Sequence, residues 1–110
     1  MSEKIVKEYL KHILDEIDFV LEKSKLIDEN RFMRDEMTKR AFVRSLEIIG
    51  EATKNIPDDF KKNYKSIKWK SLAGLRDKLI HHYFGVDYQI VWDVVINELP
   101  DLKKKIKEII

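Results

Sequence analysis

Four residues able to do chemistry stand within eight positions: Arg76, His81, His82 and Tyr83, in a chain with only three histidines. Arginine is permanently charged and holds phosphate through a planar fork of donors. Histidine moves protons near neutral pH. Tyrosine carries a hydroxyl that can donate, accept or be modified. Together these groups suit metal-independent cleavage of a phosphodiester. RNA carries its own nucleophile, the 2′-hydroxyl, and a histidine can take that proton or give one to the leaving oxygen. An arginine can stabilise the charge that builds on the phosphorus. DNA lacks the 2′-hydroxyl and cannot follow this route.

The elements that position these groups are read as helices. Ile5, Val6, Tyr9, Leu10, Ile13, Leu14, Ile17, Val20 and Leu21 recur at steps of three and four, which predicts one amphipathic helix over residues 3–24. Asp28 reads as a helix cap. A second long helix runs from Met37 through Ile56 to Pro57, with a short helix at most over Phe60 to Tyr64. Trp69, Leu72, Leu75, Leu79 and Ile80 predict a third long helix from residue 69 to Tyr83–Gly85, where glycine ends it. Asp87 sits where an N-cap belongs, and Pro100 suits the first turn of the last helix. The expected fold is all-α, an up-and-down bundle of about four to five helices without a sheet, with residues 1–110 forming one domain.

On an unbroken helix, Arg76 and His81 are five steps and about 140° apart, whereas Arg76 and Tyr83 are seven steps apart and share a face. A straight helix therefore turns His81 away from Arg76. Either the helix loosens before Gly85, or a symmetric second copy completes the site. A chain this short has no room for an internal cleft between two cores, which favours a site between subunits.

Arg76-x-x-x-x-His81-x-Tyr83, with the polar Asp77 after the arginine, resembles the motif of the HEPN superfamily and specifically of HepT-like toxins. The stretches Arg44-Ser45-Leu46-Glu47-Ile48-Ile49-Gly50-Glu51-Ala52 and His81-His82-Tyr83-Phe84-Gly85-Val86-Asp87 resemble segments of that family in the same order. Leu99-Pro100-Asp101-Leu102 fits it as well, so the resemblance covers nearly the whole chain. It implies a toxin ribonuclease working as a homodimer, with the motifs of both copies facing one cleft. Arg76 and His81 would be the catalytic pair, supported by Asp77 and Glu51. It also implies a nucleotidyltransferase antitoxin of the MntA type as partner. That enzyme would inhibit the toxin by moving AMP from ATP onto Tyr83. ATP is then the donor, and the chain needs no cofactor of its own. The substrate would be RNA, with tRNA and mRNA both open.

Plainer readings stand beside these. Arg76 can make a structural ion pair with Glu51 or Asp77 while His81 caps a helix end. Tyr83 can be a core aromatic or can orient a substrate phosphate. Arg40 and Arg44, one turn apart, form a basic stripe that either grips RNA or is simply solvated. Gly50 allows another helix to approach. His12 reads as a surface histidine, and Lys61-Lys62 and Lys103-Lys104-Lys105 as solvated faces. The competing functions are a non-catalytic, partner-binding helical module and a nucleotide-binding accessory subunit of a nucleotidyltransferase.

Composition narrows the classes. The absence of cysteine excludes disulfides and thiolate sites, and adjacent His81 and His82 lack the spacing of a helical metal site. No apolar run approaches the roughly 20 residues of a membrane span, and the polar start is no signal peptide, so a cytoplasmic protein is expected. A net charge of +2 with 38% charged residues means that RNA binding must come from a local patch.

Overall fold

The computed structural model describes residues 1–80 and 85–110. The first helix, α1 (Glu3–Ser24), matches its expected span. Ser2 caps it, its hydroxyl accepting from the Ile5 backbone N–H at 3.3 Å. Val6, Leu10, Ile13, Ile17 and Val20 form its buried face. A short helix, α2 (Glu29–Arg34), follows under the expected Asp28 cap, which accepts from the Arg31 N–H at 2.8 Å.

Asp35 then does two jobs. Its backbone is extended, its N–H bonds the Phe32 carbonyl at 3.2 Å, and its side chain accepts from the Thr38 N–H at 3.1 Å. It thus ends α2 and caps α3 (Glu36–Lys54). In α3, Phe42, Leu46 and Ile49 are fully enclosed, and Phe42 and Trp92 flank Phe32 with ring centroids 5.1 and 5.0 Å away. The single turn α4 (Asp58–Lys61) begins two residues earlier than the expected Phe60, because the Pro57 carbonyl takes the N–H groups of both Phe60 and Lys61.

The third long helix is corrected by the structure. It breaks into α5 (Trp69–Ala73) and α6 (Leu75–Leu79) at Gly74, and it stops at Leu79, short of the expected Tyr83–Gly85. Glycine is a poor helix former, and the break lets both pieces pack on α3. Leu75 and Leu79 are one turn apart and buried, which holds α6 to the core. Ile80 is extended and makes an antiparallel bridge with Val86. That bridge belongs to no sheet among the described residues, so the all-α expectation stands, with more and shorter helices than expected.

Asp87 caps α7 (Tyr88–Asp93) as expected, accepting from the Ile90 N–H at 3.2 Å. A π-helical turn, Val94–Glu98, joins it to α8 (Leu99–Ile109). Pro100 explains the wide turn. It has no N–H to return to Ile96, and its ring would crowd that carbonyl. The Leu99 N–H instead bonds the Val94 carbonyl, five residues back. α1 packs on both α3 and α8, and α3 also meets α2, α5, α6 and α7. Among the described residues no helix is long and apolar enough to cross a membrane.

Candidate active site

The site is built on α3 and α6, and Gly50 sets their separation. A Cβ at Gly50 would lie 3.2 Å from the Leu72 carbonyl oxygen and 3.8 Å from the Leu75 Cβ. The absent side chain thus lets the α5–α6 break sit directly on α3, the close approach that the sequence suggested.

Arg76 stands in the first turn of α6, its side chain 65% exposed. Its carboxylate partner is Glu47, whose Oε2 lies 3.9 Å from Arg76 Nε. This corrects the expected pairing with Glu51. Glu51 is exposed and pairs with Lys54 on its own helix at 3.4 Å. It is solvated, and Glu47, one turn earlier, is the half-buried one. Asp77 is exposed and makes no ion pair among the described residues.

The Glu47 contact uses the Nε edge of the guanidinium. The two terminal nitrogens make no ion pair among the described residues and form the edge suited to a phosphate. Arg40, Arg44, Glu47 and Glu51 fall within about 60° of one another on an ideal helix. Arg40 and Arg44 therefore lie on the same outer stripe of α3 as the carboxylate that meets Arg76, about 10 and 5 Å along from it. Both are exposed, and Arg40 is loosely held by Glu36 at 3.7 Å.

The rest of the motif, His81, His82, Tyr83 and Phe84, lies outside the described residues. Its two flanks are joined to each other. Ile80 pairs with Val86, and the Asp87 N–H bonds the Leu79 carbonyl at 2.8 Å. Gly85 has φ +79°, a left-handed conformation that favours glycine. The helical projection that stacked Tyr83 over Arg76 needs an unbroken helix, and α6 ends at Leu79. The flanks are also tied to the body. Lys78 meets Glu98 at 3.4 Å. The buried Lys39 on α3 sits 4.5 Å over the Tyr88 ring while its ammonium pairs with Glu36 at 2.9 Å. The Lys39 hydrogen bond and charge hold the Glu36 carboxyl below its usual range.

His12 is exposed, as expected. No group of three or more His, Cys, Asp or Glu side chains is arranged to hold a metal among the described residues. Glu47 is the residue that the sequence reading passed over. The available signal was its phase, since it shares the stripe of Arg40, Arg44 and Glu51.

Comparison with known proteins gives one consistent result. The family model described as "Ribonuclease HepT-like" matches residues 6–109. A protein of Caldanaerobacter subterraneus subsp. tengcongensis named "Putative RNase" is 50% identical over 107 residues, covering 97% of this chain and 96% of that one. One of Methanocaldococcus jannaschii with the same style of name is 46% identical over 110 residues, covering 100% and 91%. A "Probable ribonuclease HepT" of Thermococcus cleftensis is 45% identical over 103 residues, covering 94% of each chain. No solved structure matches the chain significantly.

Proposed function

The chain belongs to the HepT-like ribonuclease family, and from that premise we propose that it is a toxin endoribonuclease that cuts RNA without a metal, in a cleft shared by two copies. The observation that carries this reading is the exposed Arg76. Its Nε edge is engaged by Glu47, and it stands four residues before the pinned flank from which His81 and Tyr83 follow.

In the proposed reaction a histidine removes the 2′-hydroxyl proton. The 2′-oxygen attacks the adjacent phosphorus and the bond to the 5′-oxygen breaks, leaving a 2′,3′-cyclic phosphate. The departing 5′-oxygen takes a proton from a second histidine, supplied by the symmetric copy. Arg76 bears on the non-bridging oxygens, where charge grows in the transition state. A two-fold arrangement supplies each group twice, so one chain need not bring acid and base together by itself. Arg40 and Arg44 extend positive charge along α3 beside this cleft.

The same reading includes control by a nucleotidyltransferase antitoxin that attaches AMP to Tyr83, within the cytoplasm. The deciding experiment is cleavage of RNA by the purified chain with EDTA present, beside Arg76→Ala and His81→Ala. Each substitution is expected to lower the rate about a hundredfold or more with the helical spectrum retained. Activity that survives in both folded variants, or that disappears with EDTA, overturns the proposal.

A further inference from the structure

A second charged surface surrounds the connection between α4 and α5. Lys61, Lys62, Lys65, Lys68 and Lys70 border one shallow concavity, and Asp58 is the only carboxylate among its lining residues. None of the five lysines makes an ion pair among the described residues, whereas Lys39, Lys54, Lys78, Lys103 and Lys105 all do. In a chain of net charge +2, five cations against one carboxylate is a strong local excess.

The chemistry of the lining narrows the occupant. Lysine ammonium groups act as point charges on flexible stems and suit phosphate without reading bases. No aromatic face is offered for stacking, since Trp69 is buried and its indole N–H is taken by the Tyr64 carbonyl at 3.0 Å. Its apolar lining residues, Ile67 and Trp69, are both buried, so neither protrudes as the kind of anchor a protein interface uses. The large exposed hydrophobic residues, among them Phe19, Leu26, Met37 and Ile96, belong to other parts of the chain. The surface also connects to the site. α5 carries Lys70 and leads through the break at Gly74 into α6, which carries Arg76 six residues on in the chain.

We propose that this lysine concavity binds the phosphate backbone of the RNA and leads the strand toward Arg76. The identity of the ligand as RNA rests on the ribonuclease reading. Attraction to phosphate does not, because a DNA strand presents the same charges. Binding can therefore be measured apart from cleavage.

The test uses the full chain with Lys62, Lys65 and Lys68 all changed to Gln. All three are exposed and unpaired among the described residues, so folding is expected to survive. The probe is a fluorescent single-stranded DNA oligonucleotide, which has no 2′-hydroxyl to react, titrated at several salt concentrations. Affinity should fall tenfold or more, and the slope of log affinity against log salt should shrink by about 2 for three lost contacts. On RNA, KM should rise while kcat is kept. The matching Lys→Arg triple variant should bind as wild type does. A control with Lys4, Lys7 and Lys25 changed to Gln removes the same net charge elsewhere and should bind normally.

Unchanged affinity and slope in the Gln variant, or an equal loss in the control, overturns the proposal. So does unchanged oligonucleotide binding together with lost binding of a protein partner, which would assign the surface to an acidic protein. Lysine-dependent binding in a protein that cuts no RNA leaves this surface intact and overturns the ribonuclease reading instead.

Discussion

The carboxylate of Glu47 on α3 meets the guanidinium of Arg76 on α6 at its Nε edge, 3.9 Å away. The two partners are unequally exposed, Glu47 at 28% and Arg76 at 65%, so the arginine leans on the better-fixed carboxylate. A pair this open contributes at most about 1 kcal/mol to stability. Its consequence is positional: contact at Nε leaves the two terminal nitrogens without an ion pair among the described residues.

Glu47→Gln should therefore leave the melting temperature nearly unchanged while kcat for RNA cleavage falls about tenfold, since small misplacements of a positioned group are costly. Glu51→Gln, which loses only a solvated contact with Lys54, should cleave normally. In an Arg76→Ala background the Glu47 change should add no further loss, because the two residues act as one unit. Equal effects of the two Gln variants, or full additivity with Arg76→Ala, would show that Glu47 does not act through the arginine.

The acid limb of stability should report the cap on α3. The Thr38 backbone hydrogen bond is the main cause holding the Asp35 carboxyl below its usual range, helped by the Thr38 side chain, opposed by burial, and helped less by the Lys23 and Arg31 charges. A depressed carboxylate stabilises the fold above its unfolded pKa, and that contribution disappears as pH falls through the folded value. Melting temperature should thus decline below about pH 4. Asp35→Asn keeps an accepting oxygen without a charge, so its decline there should be shallower. Asp35→Ala should already melt lower at pH 7. Parallel acid limbs for wild type and Asp35→Asn in circular dichroism melts would remove Asp35 from this account.

What the sequence made legible, and what it hid, divides along physical lines. The α1 span, the Asp28 and Asp87 caps and the place of Pro100 are local features, set by side chains acting on their own turn. The break at Gly74 is not visible in periodicity. Trp69, Leu72, Leu75 and Leu79 keep steps of three and four across it, so the apolar phase survives the kink. Gly50 explains the kink from the other side, by seating the Leu72 carbonyl on α3, a contact 22 residues away in the chain. The choice of Glu47 over Glu51 was hidden for a related reason. Both share one stripe, and only the height at which α6 crosses α3 decides between them. Asp35 is hidden as a cap because the apolar pattern of α3 begins only at Met37, two residues beyond it.

Tyr83 is expected to be the point of control. It stands at the motif's tyrosine position, between flanks joined by the Ile80–Val86 bridge and by the bond from the Asp87 N–H to the Leu79 carbonyl. In the proposed modification the tyrosine oxygen attacks the α-phosphate of ATP, and pyrophosphate leaves. The new phosphodiester would add negative charge and bulk to the motif that Arg76 opens, so RNA should be kept out by repulsion and by sterics. Tyr9, Tyr64 and Tyr88 are half-buried against the core, and the Tyr88 ring lies under the Lys39 ammonium. Co-expression with a cognate nucleotidyltransferase should add the mass of AMP to the wild-type chain and abolish its cleavage of RNA, with the fold unchanged. Tyr83→Phe should keep the ring, remain free of AMP and stay active under the same conditions. AMP mapped to Tyr9, Tyr64 or Tyr88, or full cleavage by the modified protein, would place the switch elsewhere.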